Sequence, residues 1–355
     1  MKRLFILTAT LLWAVAGLKA QRIEVTDAEG HGIPLVSVLT DDGVLIGTTD
    51  LKGVIADVKG APRVALTHVA YKPQLVTVTG PTTVRMEDLD YGLDEIIVQP
   101  KPYIYVETYY RFYAFINDSL RFYQAGLLPN AYDVAKKKVE TGSYFACYGD
   151  KYPSFGVGVT WGSRVMEFHA GRIHQPTLEG LTKEEDGHTP YFTTLTDEGN
   201  GRKRIDNPEE TLGYFDINNG TCTTTIDGGK AQMYRNRRLG QEKQLKKRED
   251  MDYAYQYTDV FKTDEAGESN IEDLVMYTNH WEWTKEKGRY KMIIETYVVD
   301  RGYMDKKEWG ARKKELKKEN KDVLTIDQLE ELAASHHVPP LAPTMRQAID
   351  RLGKK

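Results

Sequence analysis

The sequence predicts a mainly β protein. An N-terminal immunoglobulin-like β-sandwich is followed by a larger antiparallel β-rich α+β domain with a charged helical C-terminal tail. Three observations carry this. Apolar residues recur with period two between Gly/Asp turns over residues 21–98. Tyrosine, threonine and valine are frequent through the middle of the chain, as strands prefer. From Lys306 onward charges dominate and helix caps take the place of turn pairs.

The first strands read Ile23 and Val25, then Val36 and Val38, then Leu45 through Thr49. Val54, Ala56 and Val58 follow, then Val64, Leu66 and His68, then Leu75, Val76 and Val78, and finally Val84 and Met86. The turns between them are Asp27-Ala28-Glu29-Gly30, Asp41-Asp42-Gly43 and Lys52-Gly53. Alternation at this spacing lets each strand bury one face in a small antiparallel sandwich.

Five separated motifs in this segment, in order, resemble the carboxypeptidase-regulatory-like domain. They are Val25-x-Asp27-x-x-Gly30, Ile33-Pro34-Leu35-Val36-x-Val38, Gly47-Thr48-Thr49-Asp50-x-x-Gly53, Leu66-Thr67-His68-Val69-Ala70-Tyr71 and the closing Leu93-Asp94-Glu95-Ile96-Ile97-Val98. The last is similar to the segment that ends this domain in TonB-dependent outer-membrane receptors. Ala70 stands where the family has glycine, and Val54 where it has an aromatic residue. The resemblance implies a seven-stranded sandwich used as an accessory or interaction module, with no catalytic residues. The chain is too short for a receptor's plug and barrel, and no His-x-x-Glu zinc-carboxypeptidase signature is present.

Met1-Lys2-Arg3, an apolar run from Leu4 to Leu18 and Lys19-Ala20 read as a secretory signal cleaved after Ala20. The run is shorter than the ~20 residues a spanning helix needs. Export to the periplasm or outer-membrane surface is therefore expected. Loss of Lys2, Arg3 and Lys19 would lower the net charge from −4 to −7, which argues against a nucleic-acid partner. Cys147 and Cys222 are the only cysteines. Outside the cytoplasm they are candidates for one disulfide, and equally for two separate buried thiols.

A linker over residues 99–102 leads into the β-rich domain over residues 103–305, and the tail occupies 306–355. Tyr103–Phe115 and Leu120–Leu127 flank Asn117-Asp118, a hairpin signal. Further strands are expected at Gly156–Trp161, Arg164–His169, Pro190–Leu195, Thr221–Ile226 and Tyr253–Phe261. The clearest hairpin joins Leu274–Thr284 to Tyr290–Val299. In the tail, helices are expected at Lys306–Asn320, from a Thr325 cap to about Ala334, and at about Pro343–Leu352. Charges on both strand faces favour a curved sheet packed on helices over a lipid-facing barrel. The stretch from Tyr109 to Tyr123 resembles the start of an uncharacterised region that follows such sandwiches in envelope proteins.

No catalytic or cofactor motif is present, so no enzyme activity and no cofactor is expected. Gly156-x-Gly158 lacks dinucleotide spacing, and a Walker lysine and a Gly-x-Ser-x-Gly elbow are both missing. Glu167, His169 and His174, and the pair His336-His337, read as surface residues rather than metal ligands. The lysine-rich run from Lys306 to Lys321 is interleaved with glutamates, as on a solvated face. Nine aromatics between Tyr103 and Tyr123 read as core, or as a wall for a sugar or acyl chain. Asp118-Ser119-Leu120 matches the Asp-Ser/Thr-aliphatic O-glycosylation acceptor of bacteria rich in such sandwiches, which makes Ser119 a candidate. These signals together favour a non-enzymatic envelope interaction or assembly protein with an envelope or outer-membrane protein partner. A periplasmic carrier of a lipid or other apolar ligand is the alternative, a glycan is a further ligand class, and an unrecognised hydrolase is the third reading.

Overall fold

The computed structural model describes residues 21–89, 101–136, 138–141, 146–148, 193–218, 220–250, 252, 254–262, 273–285, 288–319 and 324–352. The protein is mainly β. The chain divides into two compact units, Met1–Asp88 and Leu89–Lys355.

The first unit is a two-sheet sandwich. Strands β1 (Ile23–Thr26), β4 (Val54–Ile55) and β7 (Thr82–Arg85) form one sheet in the order β4-β1-β7. Strands β2 (Ser37–Thr40), β3 (Leu45–Thr48), β5 (Arg63–His68) and β6 (Tyr71–Thr77) form the other, ordered β3-β2-β5-β6. Every pairing is antiparallel except β1 with β7, which run parallel. The shared core holds Ile23, Val25, Val38, Val64, Leu66 and Val84, largely the residues that the period-two pattern selects. Gly53 (φ +74°) shows why that turn takes glycine: a Cβ there would lie 2.4 Å from the Val25 carbonyl oxygen.

The second unit is built on one 11-stranded antiparallel sheet. Its strands are β8 (Tyr103–Ile116), β9 (Ser119–Asp133), β10 (Lys138–Thr141), β11 (Ala146–Tyr148), β12 (Thr194–Gly199), β13 (Arg202–Asp206), β14 (Thr211–Asn218), β15 (Thr221–Ile226), β16 (Ala254–Phe261), β17 (Leu274–Lys285) and β18 (Gly288–Met304). The order is β10-β9-β8-β18-β17-β16-β15-β14-β13-β12, with β11 also on β9. Consecutive strands are neighbours except that β11 pairs with β9 rather than with β10 or β12, and β18 inserts between β17 and β8, which joins the start of the domain to its end. The β8–β9 hairpin turns at Asn117 (φ 47°) and Asp118 (φ 66°), both left-handed, as the Asn-Asp signal requires.

Helices α1 (Gly228–Arg238) and α2 (Glu242–Glu249) lie between β15 and β16 in the chain, where no helix was expected. Asp227 caps α1 by accepting from the Lys230 amide. The tail helices α3 (Lys306–Glu319), α4 (Ile326–Ser335) and α5 (Pro343–Leu352) fall where the sequence placed them. Thr325 and Gln328 close a reciprocal capping box on α4. Strands β10, β11, β13 and β14 lie where no strand was expected, and β12 lies later than the expected Pro190–Leu195. The expected signal peptide, the closing motif at 93–98, the strands at 156–161 and 164–169, and the first half of the 99–102 linker lie outside the described residues.

Candidate functional site

Strand β8 runs Tyr-Ile-Tyr-Val-Glu-Thr-Tyr-Tyr-Arg-Phe-Tyr-Ala-Phe-Ile, and alternation sends its two sets of side chains to opposite faces. Ile104, Val106, Tyr110, Phe112 and Ala114 join an apolar cluster with Leu128, Tyr277, Ile294 and Val298 from neighbouring strands. Tyr109, Arg111 and Tyr113 point the other way. A charged side chain thus sits mid-strand with tyrosines two residues to either side.

Arg111 is 2% exposed, so its charge has to be met inside the protein. Across the ladder it faces Glu295 on β18 and Ala125 on β9. Its Nη2 donates to Glu330 Oε1 at 3.2 Å, and Glu330 comes from α4, 219 residues later. The other Glu330 oxygen accepts from the Leu341 amide at 3.0 Å. The guanidinium lies 5.6 Å from the Tyr109 ring centre and 5.9 Å from that of Tyr297, within cation–π range. Tyr113 donates to Glu295 Oε2 at 3.0 Å and packs on Tyr123 with ring centres 5.3 Å apart. Tyr109 donates to the Leu329 carbonyl at 3.2 Å, a second tie to α4.

Burial pushes the Glu295 carboxyl above its ordinary range, opposed by the Arg111 charge and the Tyr113 hydrogen bond. Burial likewise raises Tyr109 to about 12, so this hydroxyl stays a donor at neutral pH. One cation therefore serves two carboxylates, with tyrosines as the polar lining. Both carboxylates are engaged, Glu330 with Arg111 and Leu341, and Glu295 with Tyr113. Chemically the cluster is a clamp between the sheet and α4.

Two smaller ties hold α3. Glu140 Oε2 accepts from Trp309 Nε1 and from Lys313 Nζ, each at 2.8 Å, which holds the Glu140 carboxyl below its ordinary range. Glu107 lies 3.9 Å from the Arg312 guanidinium, and burial raises its carboxyl.

The nine aromatics between Tyr103 and Tyr123 are all buried, with Tyr103 and Tyr105 against Trp309, and Tyr110, Phe112 and Phe122 in the apolar cluster. Trp283 stacks on Tyr290 at 5.5 Å and 8°, and Tyr255 on Trp281 at 5.5 Å and 22°. Cys222 carries a free, buried thiol pushed up to about 12 by burial. Cys147 lies on β11 opposite Gly126, and its side chain lies outside the described residues. Ser119 opens β9, half-buried, directly after the left-handed turn. Glu167, His169 and His174 lie outside the described residues; His336 caps the C-terminus of α4. Among the described residues no group of three His, Cys, Asp or Glu side chains is placed to hold a metal ion, and no helix is long and apolar enough to cross a membrane.

The Arg111 cluster escaped the sequence reading. Its one sequence signal is an arginine at the centre of a strand otherwise without cations, which demands a buried partner. No protein-family model matches the chain, and no curated protein is similar to it.

Proposed function

We propose that this protein is a non-enzymatic interaction or assembly protein of the cell envelope. In this reading the N-terminal sandwich is a carboxypeptidase-regulatory-like accessory module, and the larger sheet is a binding domain. The observation that carries it is the use made of the buried ionisable groups. Arg111, Glu295 and Glu330 are engaged in fixing α4 to the sheet, a structural use that supports reading the domain as a binding scaffold. Export rests on the N-terminal sequence, as does a location in the periplasm or at the outer membrane. Ser119, presented by a tight turn, is the candidate glycosylation position.

Native mass spectrometry of tagged protein, extracted mildly from its own host, tests the proposal. A stoichiometric protein companion supports it. A bare monomer, together with turnover in hydrolase assays, overturns it.

A second reading is favoured by the apolar face of the large sheet. That face carries aromatic and aliphatic side chains across β9, β8, β18, β17 and β16, as a carrier of an apolar ligand would need. Under this reading the same spectrum contains a bound mass of lipid size that is lost on denaturation.

A further inference from the structure

Helices α1 and α2 bring together two basic runs that the sequence separates by a turn. Residues 228–250 hold eight Lys or Arg against three Asp or Glu, in a chain whose formal charge is −4. Part of that excess is met locally: Lys230 pairs with Glu210 at 2.7 Å, and Arg237 pairs with Glu209. Ala231 packs in the core beside Tyr257 on β16, which sets α1 on the sheet, and α2 packs on α1.

The turn between the helices is unusual in what it shows to solvent. Leu239 caps α1, Gly240 reverses the chain at φ +66°, and the Leu239 side chain is 53% exposed. Among the described residues only Leu75 and Val134 are comparably exposed large apolar side chains. Exposed Arg238, Lys243 and Lys246 lie on either side of Leu239 in the chain. Glu242 is the one acid between them, and an apolar apex with three cations against that one acid suits an interface that is oily below and anionic above. An acidic protein or a nucleic acid would meet the cations and leave Leu239 in water.

We propose that the α1–α2 turn docks on an anionic lipid surface, with Leu239 entering the interface and Arg238, Lys243 and Lys246 meeting lipid phosphates. The proposal stands on this helix pair and not on the export reading, and the test requires no knowledge of a protein partner.

The test is co-sedimentation of the purified protein with vesicles of phosphatidylcholine alone or mixed with phosphatidylglycerol. Binding to the anionic vesicles should be at least roughly tenfold tighter, and should fall away at about 0.5 M salt. The triple variant R238E/K243E/K246E should lose that preference. Leu239→Ser should weaken binding about tenfold while keeping the salt dependence. Unchanged urea midpoints would show that both variants fold. Equal binding to both vesicles, absence of vesicle binding, or variants that bind like the parent protein would each overturn the proposal. So would retention on a polyanionic resin without vesicle binding.

Discussion

The sandwich and the large sheet follow the same alternation rule and bury different chemistry with it. In the sandwich the inward positions are Ile, Val and Leu, and the core is an aliphatic cluster. In the large sheet one face of β8 is apolar, and the other buries Arg111 between tyrosines. Alternation decides which side chains go inside and says nothing of whether they find partners there. An aliphatic core needs only volume and close packing. A buried guanidinium needs a particular carboxylate in a particular place. The sandwich core should accordingly fail by degrees when altered, and the Arg111 clamp should fail as a unit.

The sharpest way to break that contrast is Arg111→Ala. Removing the cation leaves the half-buried Glu330 and Glu295 without it and opens the fully buried Arg111 site, and the second unit should lose about 3–5 kcal/mol. Urea denaturation followed by a probe in each unit reads this out. A loss below about 1 kcal/mol would show that the clamp is dispensable. Arg111→Lys should recover only part of the loss, because a point charge cannot reproduce the planar fork.

Leu66→Ala, at a fully buried sandwich position, should cost about 2–5 kcal/mol through lost transfer energy and the cavity left behind. A conservative swap such as Leu66→Met should cost less than about 1.5 kcal/mol, as a core held by volume alone predicts.

The sandwich also buries titratable groups, among them an imidazole. His68 is buried, accepts from the Ala70 amide at 3.2 Å on Nδ1, and burial lowers its pKa to about 3. The unfolded chain takes up a proton on this ring at about 6.5 while the folded one does not. Stability from the neutral ring is therefore full above pH ~6.5 and is lost progressively as the pH falls toward 3. His68→Gln should flatten that part of the pH–stability profile of the first unit. An unchanged slope would place the titration elsewhere. In the second unit, Glu140 is held low by Lys313 and Trp309, so its contribution is present at neutral pH and is lost as acid protonates it.

The smallest expected effect is local. Thr325→Ala removes the reciprocal cap of α4 and should cost about 1 kcal/mol. Hydrogen exchange in α4 should rise, and the β8–β9 hairpin should stay protected. Equal loosening of both would make α4 part of the sheet's cooperative unit rather than an element clamped onto it.

Much of this architecture is legible in the sequence. The seven sandwich strands, the Asn117-Asp118 hairpin, the β17–β18 hairpin and the three tail helices all have local signals: alternation, turn pairs or caps. The misses are also local in origin. Strands β13 and β14 carry Arg202, Lys203, Arg204 and Asp216 among their apolar residues, which blurs the alternation. Helix α1 has glycine at its first two positions, which weakens the helical pattern and leaves the Asp227 cap and the basic last turn as its markers.

The candidate site is of another kind. Residue order by itself determined that β8 is an aromatic strand with Arg111 in its middle, on the face opposite Tyr110 and Phe112. That Glu295 and Glu330 answer it was decided by β18 inserting beside β8 and by α4 landing across the same face, where Tyr113–Glu295 and Arg111–Glu330 close loops of 182 and 219 residues. Alternation and capping are written in neighbouring residues because they follow from backbone geometry. The partner of a buried charge is chosen by strand order, and strand order is settled only when the whole sheet assembles.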